Sequence, residues 1–464
     1  MNLAQVVRSN AEKLGGKIAI RFCDSKISYT ELWNDIERIA SWLHERGVHK
    51  GDRVGLSMAE HPQPLIAHYA VASLGAVIVP MDHRWTDKEK TAAAEAFGTK
   101  IVMTDDDDLS GAPVGSLPDI DEDDSDLLIS LSSGTTGRPK GAVVTHRNLY
   151  ERFVSQWKAI GYGADDCFAI LTPFYFGAGR SFGMSLLAAG GTVLIAPPPM
   201  NSPEIIETLK QSYVTATFLP PTLLRRLFEH YEEGRPPLLG NLDYLIVSGE
   251  PLYADEAHEV LKKICPNLYS YYASSEGGGI SVLRAEDFAE HAATVGKPTY
   301  KTEVQIVDAN DDDVGTGVVG RLRYRGPGVA TRHVDADGHE SDAGMDGWFY
   351  PGDLAERLES GHIALRGRDK DVIIRGGVNI YPAEIEATLL GHPAVTEAAV
   401  LGRDDESRGQ VVIAFVATSL DAEALESYCR DSLAPYKVPQ EFRVLAELPK
   451  RSSGKVDKSA LEKI

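Results

Sequence analysis

The stretch Leu127–Thr145 constrains this chain most. Leu127–Leu131 is a short apolar run of buried-strand type, Ser132–Gly141 is turn chemistry throughout, and Ala142–Thr145 is apolar again. A helix is expected from about Asn148. Between two buried strands a loop of Gly, Ser and Thr with Arg138 and Lys140 can aim backbone N–H groups, hydroxyls and positive charge at one anion. It is neither a Walker A loop, because no Gly-Lys-Ser/Thr closes it at the required spacing, nor a GxGxxG turn. Composition alone leaves a flexible surface turn open as the other reading.

Helix-like and strand-like segments alternate through much of Leu3–Ile280, as in the amphipathic Tyr29–Arg46 followed by Arg53–Met58, which is the pattern of an α/β fold. Past Thr294 short strands with Gly-rich turns take over: Val304–Val307, Gly320–Tyr324 and Gly326–Ala330. After Arg368 a mixed block follows, with strands at Asp371–Ile374, Glu397–Leu401 and Val411–Thr418 and helices at Pro382–Leu390 and Asp421–Ser432. At 464 residues the chain exceeds the roughly 100–200 residues of one domain, so a large layered unit plus a smaller one is expected.

The formal net charge of −21 argues against nucleic acid or an acidic membrane surface as partner. It also requires any site for a polyanion to be locally cationic or to use a divalent metal. No apolar run approaches the roughly 18–20 residues of a membrane span, and Met1–Asn10 lacks the order of a secretion signal, so a cytoplasmic protein is expected. The four cysteines lie far apart and read as reduced packing residues. The histidines show no zinc-ligand spacing. The acidic stretches Asp105–Asp108 and Asp119–Asp126 read as solvated loops.

The order Ser132-Ser133-Gly134-Thr135-Thr136-Gly137-Arg138-Pro139-Lys140-Gly141 resembles the phosphate loop of the acyl-adenylate-forming superfamily, which includes acyl-CoA synthetases, adenylation domains of nonribosomal peptide synthetases and firefly luciferases. Further segments follow in family order, so the resemblance spans essentially the whole chain. Ser248-Gly249-Glu250-Pro251-Leu252 resembles the turn that lies against adenine. Tyr272-Ala273-Ser274-Ser275-Glu276 is similar to Tyr-Gly-x-Thr-Glu, which implies stacking of Tyr272 on adenine, a Ser275 hydroxyl on phosphate and Glu276 on Mg²⁺. Tyr350-Pro-Gly-Asp353 implies a carboxylate for the ribose hydroxyls. In Gly367–Gly377 the resemblance implies that Arg368 is a second ribose contact, Lys370 the hinge pivot, and Gly376-Gly377 the wall of a CoA channel. Pro449-Lys-Arg-Ser-Ser-Gly-Lys455 resembles the loop whose last lysine bridges the substrate carboxylate and the α-phosphate.

The resemblance implies an N-terminal AMP-binding domain over residues 1–369 and a small mobile α+β domain over 370–464 carrying the catalytic Lys455. ATP, Mg²⁺ and coenzyme A would be its cofactor and co-substrates, and an acyl-CoA thioester its product. A stand-alone adenylation enzyme loading a carrier protein's phosphopantetheine is the alternative. Phe176, Arg180 and Ala273 are the expected acyl-pocket residues. Ala273 stands where acetate-activating relatives carry Trp, so the pocket should exceed acetate, and Gly177 stands where amino-acid-activating relatives carry Asp, which argues against an amino acid. Phe174–Phe176 also read as plain core, and Arg180 as a surface-facing arginine or as a partner for a second carboxylate. A medium-sized aryl or acyl acid is favoured, with a dicarboxylic acid as the outlier.

Overall fold

The computed structural model describes residues 2–109, 124–133, 139–196, 200–335, 337–375, 378–405, 409–451 and 455–464. Two large sheets face each other across a layer of helices. One is nine-stranded, in the order Lys297–Pro298, Gly278–Leu283, Leu268–Ser274, Tyr244–Val247, Ala216–Leu219, Cys167–Ile170, Thr192–Ile195, Ile18–Phe22, Ser25–Ser28. The other is seven-stranded, in the order Glu340–Asp342, Arg332–Asp335, Pro139–Thr145, Asp126–Ser133, Val77–Pro80, Arg53–Ser57, Thr99–Thr104.

Helix Pro62–Ser73 shows why the layers stack this way. Every residue from Pro64 to Ser73 is buried, as a helix apolar all round must be when it lies between two sheets. The strands alternate accordingly. Ile78 and Leu128 enter the inter-sheet core, whereas Val77, Val79 and Ile129 pack on the opposite face with Ala93 and Phe97 from the end of helix Asp87–Ala96. The outer face of the nine-stranded sheet is covered by helices Ser202–Leu209 and Ala254–Lys263, through Ile205, Leu209, Ala257 and Val260.

Reciprocal caps fix several helix starts. Thr145 accepts from the Asn148 N–H and Asn148 returns a bond to the Thr145 N–H, so the helix expected from Asn148 begins at His146. Ser28 and Glu31 do the same for Tyr29–Glu45.

A four-stranded antiparallel sheet, Glu303–Val307, Gly320–Arg325, Asp353–Arg357 and Ile363–Arg368, forms the β-rich part. Here the structure corrects the sequence reading once. The segment Gly326–Ala330 is a turn rather than a strand, held by Asn148 Nδ2 donating to the carbonyls of Pro327 (2.8 Å) and Val329 (3.2 Å). The next strand, Arg332–Asp335, belongs to the seven-stranded sheet and pairs with Pro139–Thr145. After the turn Asp369–Asp371, the chain enters a separate five-stranded sheet with its own core around Ile373, Ile385, Val400, Val412 and Leu425. Among the described residues no helix is long and apolar enough to cross a membrane. Cys167, Cys265 and Cys429 are buried, while Cys23 is exposed in a turn at φ 49°.

Gly179 lies in the first turn of helix Gly177–Ala189, where a Cβ would stand 2.4 Å from the Thr172 carbonyl oxygen and 2.6 Å from that of Pro173. Backbone cannot yield as a side chain can. Gly179→Ala should therefore lose about 1–3 kcal/mol of stability in urea unfolding, the cost of overpacking a filled site.

Candidate active site

The candidate phosphate loop joins strands Asp126–Ser133 and Pro139–Thr145, which pair antiparallel with Ser132 opposite Lys140 and Ser133 opposite Pro139. Gly134, Thr135, Thr136 and Gly137 lie outside the described residues, as do the Ser132 and Ser133 side chains. Lys140 is exposed at the start of the second strand. That strand carries the site's main joint. Its other neighbour is Arg332–Asp335, with His333 opposite Ala142 and Asp335 opposite Lys140. His333 is buried, and its Nε2 lies 3.5 Å from Glu276 Oε1.

Glu276 follows strand Leu268–Ser274, so its contact with His333 links an end of the nine-stranded sheet to the seven-stranded sheet beside the loop. Ala330 N–H donates to the Glu276 carbonyl at 2.7 Å. Arg152, buried on helix His146–Ala159, donates to the carbonyls of Gly328 (2.7 Å), Ser275 (3.2 Å) and Glu276. Burial alone would raise the Glu276 carboxyl. His333, Glu276's own backbone N–H and the Arg152 charge outweigh it, and the group titrates below the ordinary carboxylate range. An ionised oxygen ligand in this place suits a hard cation such as Mg²⁺.

The glycine run after Glu276 is explained by what presses on it. A Cβ at Gly277 would meet the Tyr324 ring at 2.4 Å, one at Gly278 the Arg152 chain at 2.9 Å, and one at Gly279 the Tyr271 hydroxyl at 2.1 Å. Sequence reading missed Arg152, His333 and Tyr271. The Glu276-Gly-Gly-Gly279 run was the available signal of close approach.

Three residues expected at the nucleoside come together. Tyr272 OH donates to Asp353 Oδ2, and Arg368 Nη1 lies 3.0 Å from Asp353 Oδ1. The turn at Gly249-Glu250-Pro251 leaves strand Tyr244–Val247, the parallel neighbour of Leu268–Ser274, so both motifs emerge from the carboxyl edge of the sheet, where α/β proteins place ligands. Gly249 adopts φ 97°, a conformation that suits glycine. Arg225, also missed in the sequence, anchors this turn through Glu256, the Pro251 carbonyl (3.4 Å) and Glu250 (3.8 Å).

At the expected acyl pocket, Phe176 precedes helix Gly177–Ala189 and is 41% exposed, whereas Phe174 is core. Arg180 is not a surface residue. It is 5% exposed and donates from Nη1 to the carbonyls of Phe174 (3.3 Å) and Tyr175 (3.2 Å). Ala273 is partly buried, and Ser275 is exposed. Lys370 sits exposed in the turn between the four-stranded and five-stranded sheets; Gly376 and Gly377 lie outside the described residues. Lys455 is exposed in a loop closed by Arg451 N–H donating to its carbonyl at 2.8 Å and by the Lys450–Val456 bridge. No described ion pair or hydrogen bond joins the Lys455 side chain to Glu276, Tyr272 or Asp353.

This fold, with the candidate phosphate loop, Glu276 and Asp353 brought to one side of it, is that of an acyl-adenylate-forming enzyme. The chain belongs to the AMP-binding enzyme family, whose profile matches residues 7–332, with the AMP-binding enzyme C-terminal domain matching residues 384–455. It is 30% identical to the 2-succinylbenzoate–CoA ligase of Bacillus licheniformis over 97% of either chain. It is also 30% identical to the feruloyl-CoA synthase of Amycolatopsis sp, over 96% of this chain and 95% of that one. Among solved structures it is similar to the o-succinylbenzoate CoA synthetase MenE of Bacillus subtilis in complex with its acyl-adenylate intermediate (TM-score 0.88, 26% identity, 98% of this chain and 97% of that one). It is similar too to ATP-bound MatB of Rhodopseudomonas palustris (TM-score 0.87, 25% identity, 100% and 99%).

His68, buried in helix Pro62–Ser73 with Nδ1 2.6 Å from the Pro64 carbonyl, gives a pH test of this packing. Burial, with the Arg180 charge adding to it, pushes its pKa down from 6.5 to about 3. Between those values the unfolded chain binds a proton that the folded chain refuses, so stability falls as pH falls through the window, by up to about 1.4 kcal/mol per pH unit. Denaturant unfolding at pH 7 and pH 5 should show a smaller loss in His68→Gln than in the wild type.

Proposed function

We propose a residue-level course for the reaction of this chain, an ATP-dependent carboxylic acid–CoA ligase of the AMP-forming acyl-CoA synthetase class. The acid's carboxylate attacks the α-phosphorus of ATP and pyrophosphate leaves. The CoA thiol then attacks the acyl-adenylate carbonyl and AMP leaves. The joint between Glu276 and the strand that follows Ser132–Gly137 supports this reading, because it sets a carboxylate that could hold a metal beside the loop that could hold phosphate.

In this course Ser132–Gly137 and Lys140 hold the phosphates, and the Ser275 hydroxyl assists them. Glu276 would hold Mg²⁺, which when bound offsets the phosphate charge. Tyr272 and the Gly249-Glu250-Pro251 turn hold adenine, while Asp353 and Arg368 exchange their mutual bond for the ribose hydroxyls. Residues 1–369 and 370–464 act as two domains that turn about Lys370. The connection at Asp369–Asp371 supports this, since it is a single short turn between sheets with separate cores. One arrangement would deliver Lys455 to the carboxylate and α-phosphate, where a cation stabilises charge that builds in the transition state. The other would withdraw it and line the thiol channel with Gly376 and Gly377.

The acid is a medium-sized aryl or acyl carboxylic acid. Relatives named for 2-succinylbenzoate and ferulate support an aryl substrate, and whole-length likeness to CoA ligases favours free CoA over a carrier protein. Ala273, in place of a bulky side chain, would leave room beyond acetate.

Pyrophosphate release measured over acetate, benzoates, cinnamates, octanoate, malonate and amino acids should peak on the aryl or medium-chain acids. Lys455→Ala should cut adenylation by ~10²-fold or more, the scale of losing one transition-state donor, and thiolysis of supplied adenylate far less. Equal losses in both half-reactions would sink the assignment of Lys455. Lys370→Pro, which restricts the hinge torsion, should slow thioester formation more than adenylation.

A further inference from the structure

Arg180 is a buried cation without an anion. It sits in the first turn of helix Gly177–Ala189, 5% exposed, and its two bonds to the Phe174 and Tyr175 carbonyls are long, at 3.3 and 3.2 Å. Among the described residues no carboxylate lies within 4.0 Å of it, and Nε and Nη2 donate to no described group.

The groups around it add donors and positive charge. Arg152, itself buried, is close enough that burial first and Arg152 second hold the Arg180 guanidinium down to about 10. His68 feels the Arg180 charge in turn, and its Nε2 is buried without a partner. The Tyr271 hydroxyl lies beside Arg152 in turn. Uncompensated burial of one cation costs several kcal/mol, and two like charges together cost more. A surface arginine could have turned outward to water; Arg180 cannot, because its helix begins beneath Phe176 and is locked by the Gly179 contact with the Thr172 and Pro173 carbonyls.

Gly177, three residues before Arg180 on the same helix, is exposed, and a Cβ built there would meet nothing within 4 Å, so the helix start above Arg180 is open to solvent. We infer that Arg180, backed by the field of Arg152, is the recognition site for a second carboxylate on the acid, so that the substrate is a dicarboxylic acid activated at one end. The inference rests on the ligase reading, in which Lys455 and the α-phosphate claim the reacting carboxylate and leave Arg180 for the other. A planar guanidinium with free N–H groups accepts a carboxylate in paired hydrogen bonds, which a lysine cannot reproduce.

The test pairs acids that differ in the second carboxylate: octanoate with suberate, and benzoate with isophthalate. Wild type, Arg180→Met and Arg180→Lys are compared by pyrophosphate release and by thermal unfolding with and without each acid. Wild type should favour the dicarboxylate in at least one pair, and Arg180→Met should shift that ratio about 10- to 100-fold toward the monocarboxylate, chiefly through KM, as loss of a charged hydrogen bond does. Arg180→Lys should retain part of the preference. Without ligand, Arg180→Met should unfold at the same or a higher temperature than wild type, because it removes an unpaired buried charge, and should lose the rise that the dicarboxylate produces in wild type. A ratio unmoved by Arg180→Met, or a lower unfolding temperature of ligand-free Arg180→Met with no dicarboxylate effect in wild type, would overturn the subsite. No pyrophosphate with any acid would instead count against the ligase reading. In that case the subsite stands or falls on whether suberate or isophthalate raises the unfolding temperature of wild type and not of Arg180→Met.

Discussion

One buried guanidinium holds the site together. Arg152 donates to the carbonyls of Ser275, Glu276 and Gly328 at once, and so joins the end of the nine-stranded sheet to the turn that feeds strand Arg332–Asp335. Removing it would take a donor from the Gly328 and Ser275 carbonyls and leave that of Glu276 to the Ala330 N–H alone. The Glu276–His333 contact and the pairing of Arg332–Asp335 with the strand after the phosphate loop both depend on that joint. The position of the candidate metal ligand relative to the candidate phosphate cradle is therefore set by hydrogen bonds between sheets and by no local preference of either segment.

Electrostatics follow the same division. The molecule as a whole is strongly acidic, yet its interior around the pocket helix is cationic, with Arg152 and Arg180 both buried and His68 held neutral. A negative exterior disfavours anionic partners at large.

Much of the local structure was legible because it is written in short-range patterns. The strands at Val304–Val307 and Gly320–Tyr324 and the helix Pro382–Leu390 obey period-2 or 3.6 patterning and appear at, or within a residue of, those positions. Gly326–Ala330 misled because Gly, Pro and β-branched residues in a row suit a strand edge as well as a turn, and what decided the outcome was Asn148, far away in the chain. Arg180 misled for a related reason. An arginine early in a helix normally faces water, and only the packing of Gly179 on the Thr172 and Pro173 carbonyls turns this one inward. His333 and Arg225 carry no motif, so nothing in their neighbourhood in the sequence announces that one meets Glu276 and the other anchors the Gly249 turn.

By itself the sequence determined the order of elements and the class of fold, because side-chain periodicity and turn residues act within a few residues of themselves, while the reaction was implied by the family resemblance of its ordered motifs. Tertiary structure alone decided which sheet strand Arg332–Asp335 joins, that Tyr272, Asp353 and Arg368 meet, and that Arg180 is buried. The physical reason is that these outcomes are long-range hydrogen bonds and burial. Their energy depends on what the rest of the chain leaves unpaired, and no window of neighbouring residues contains that information.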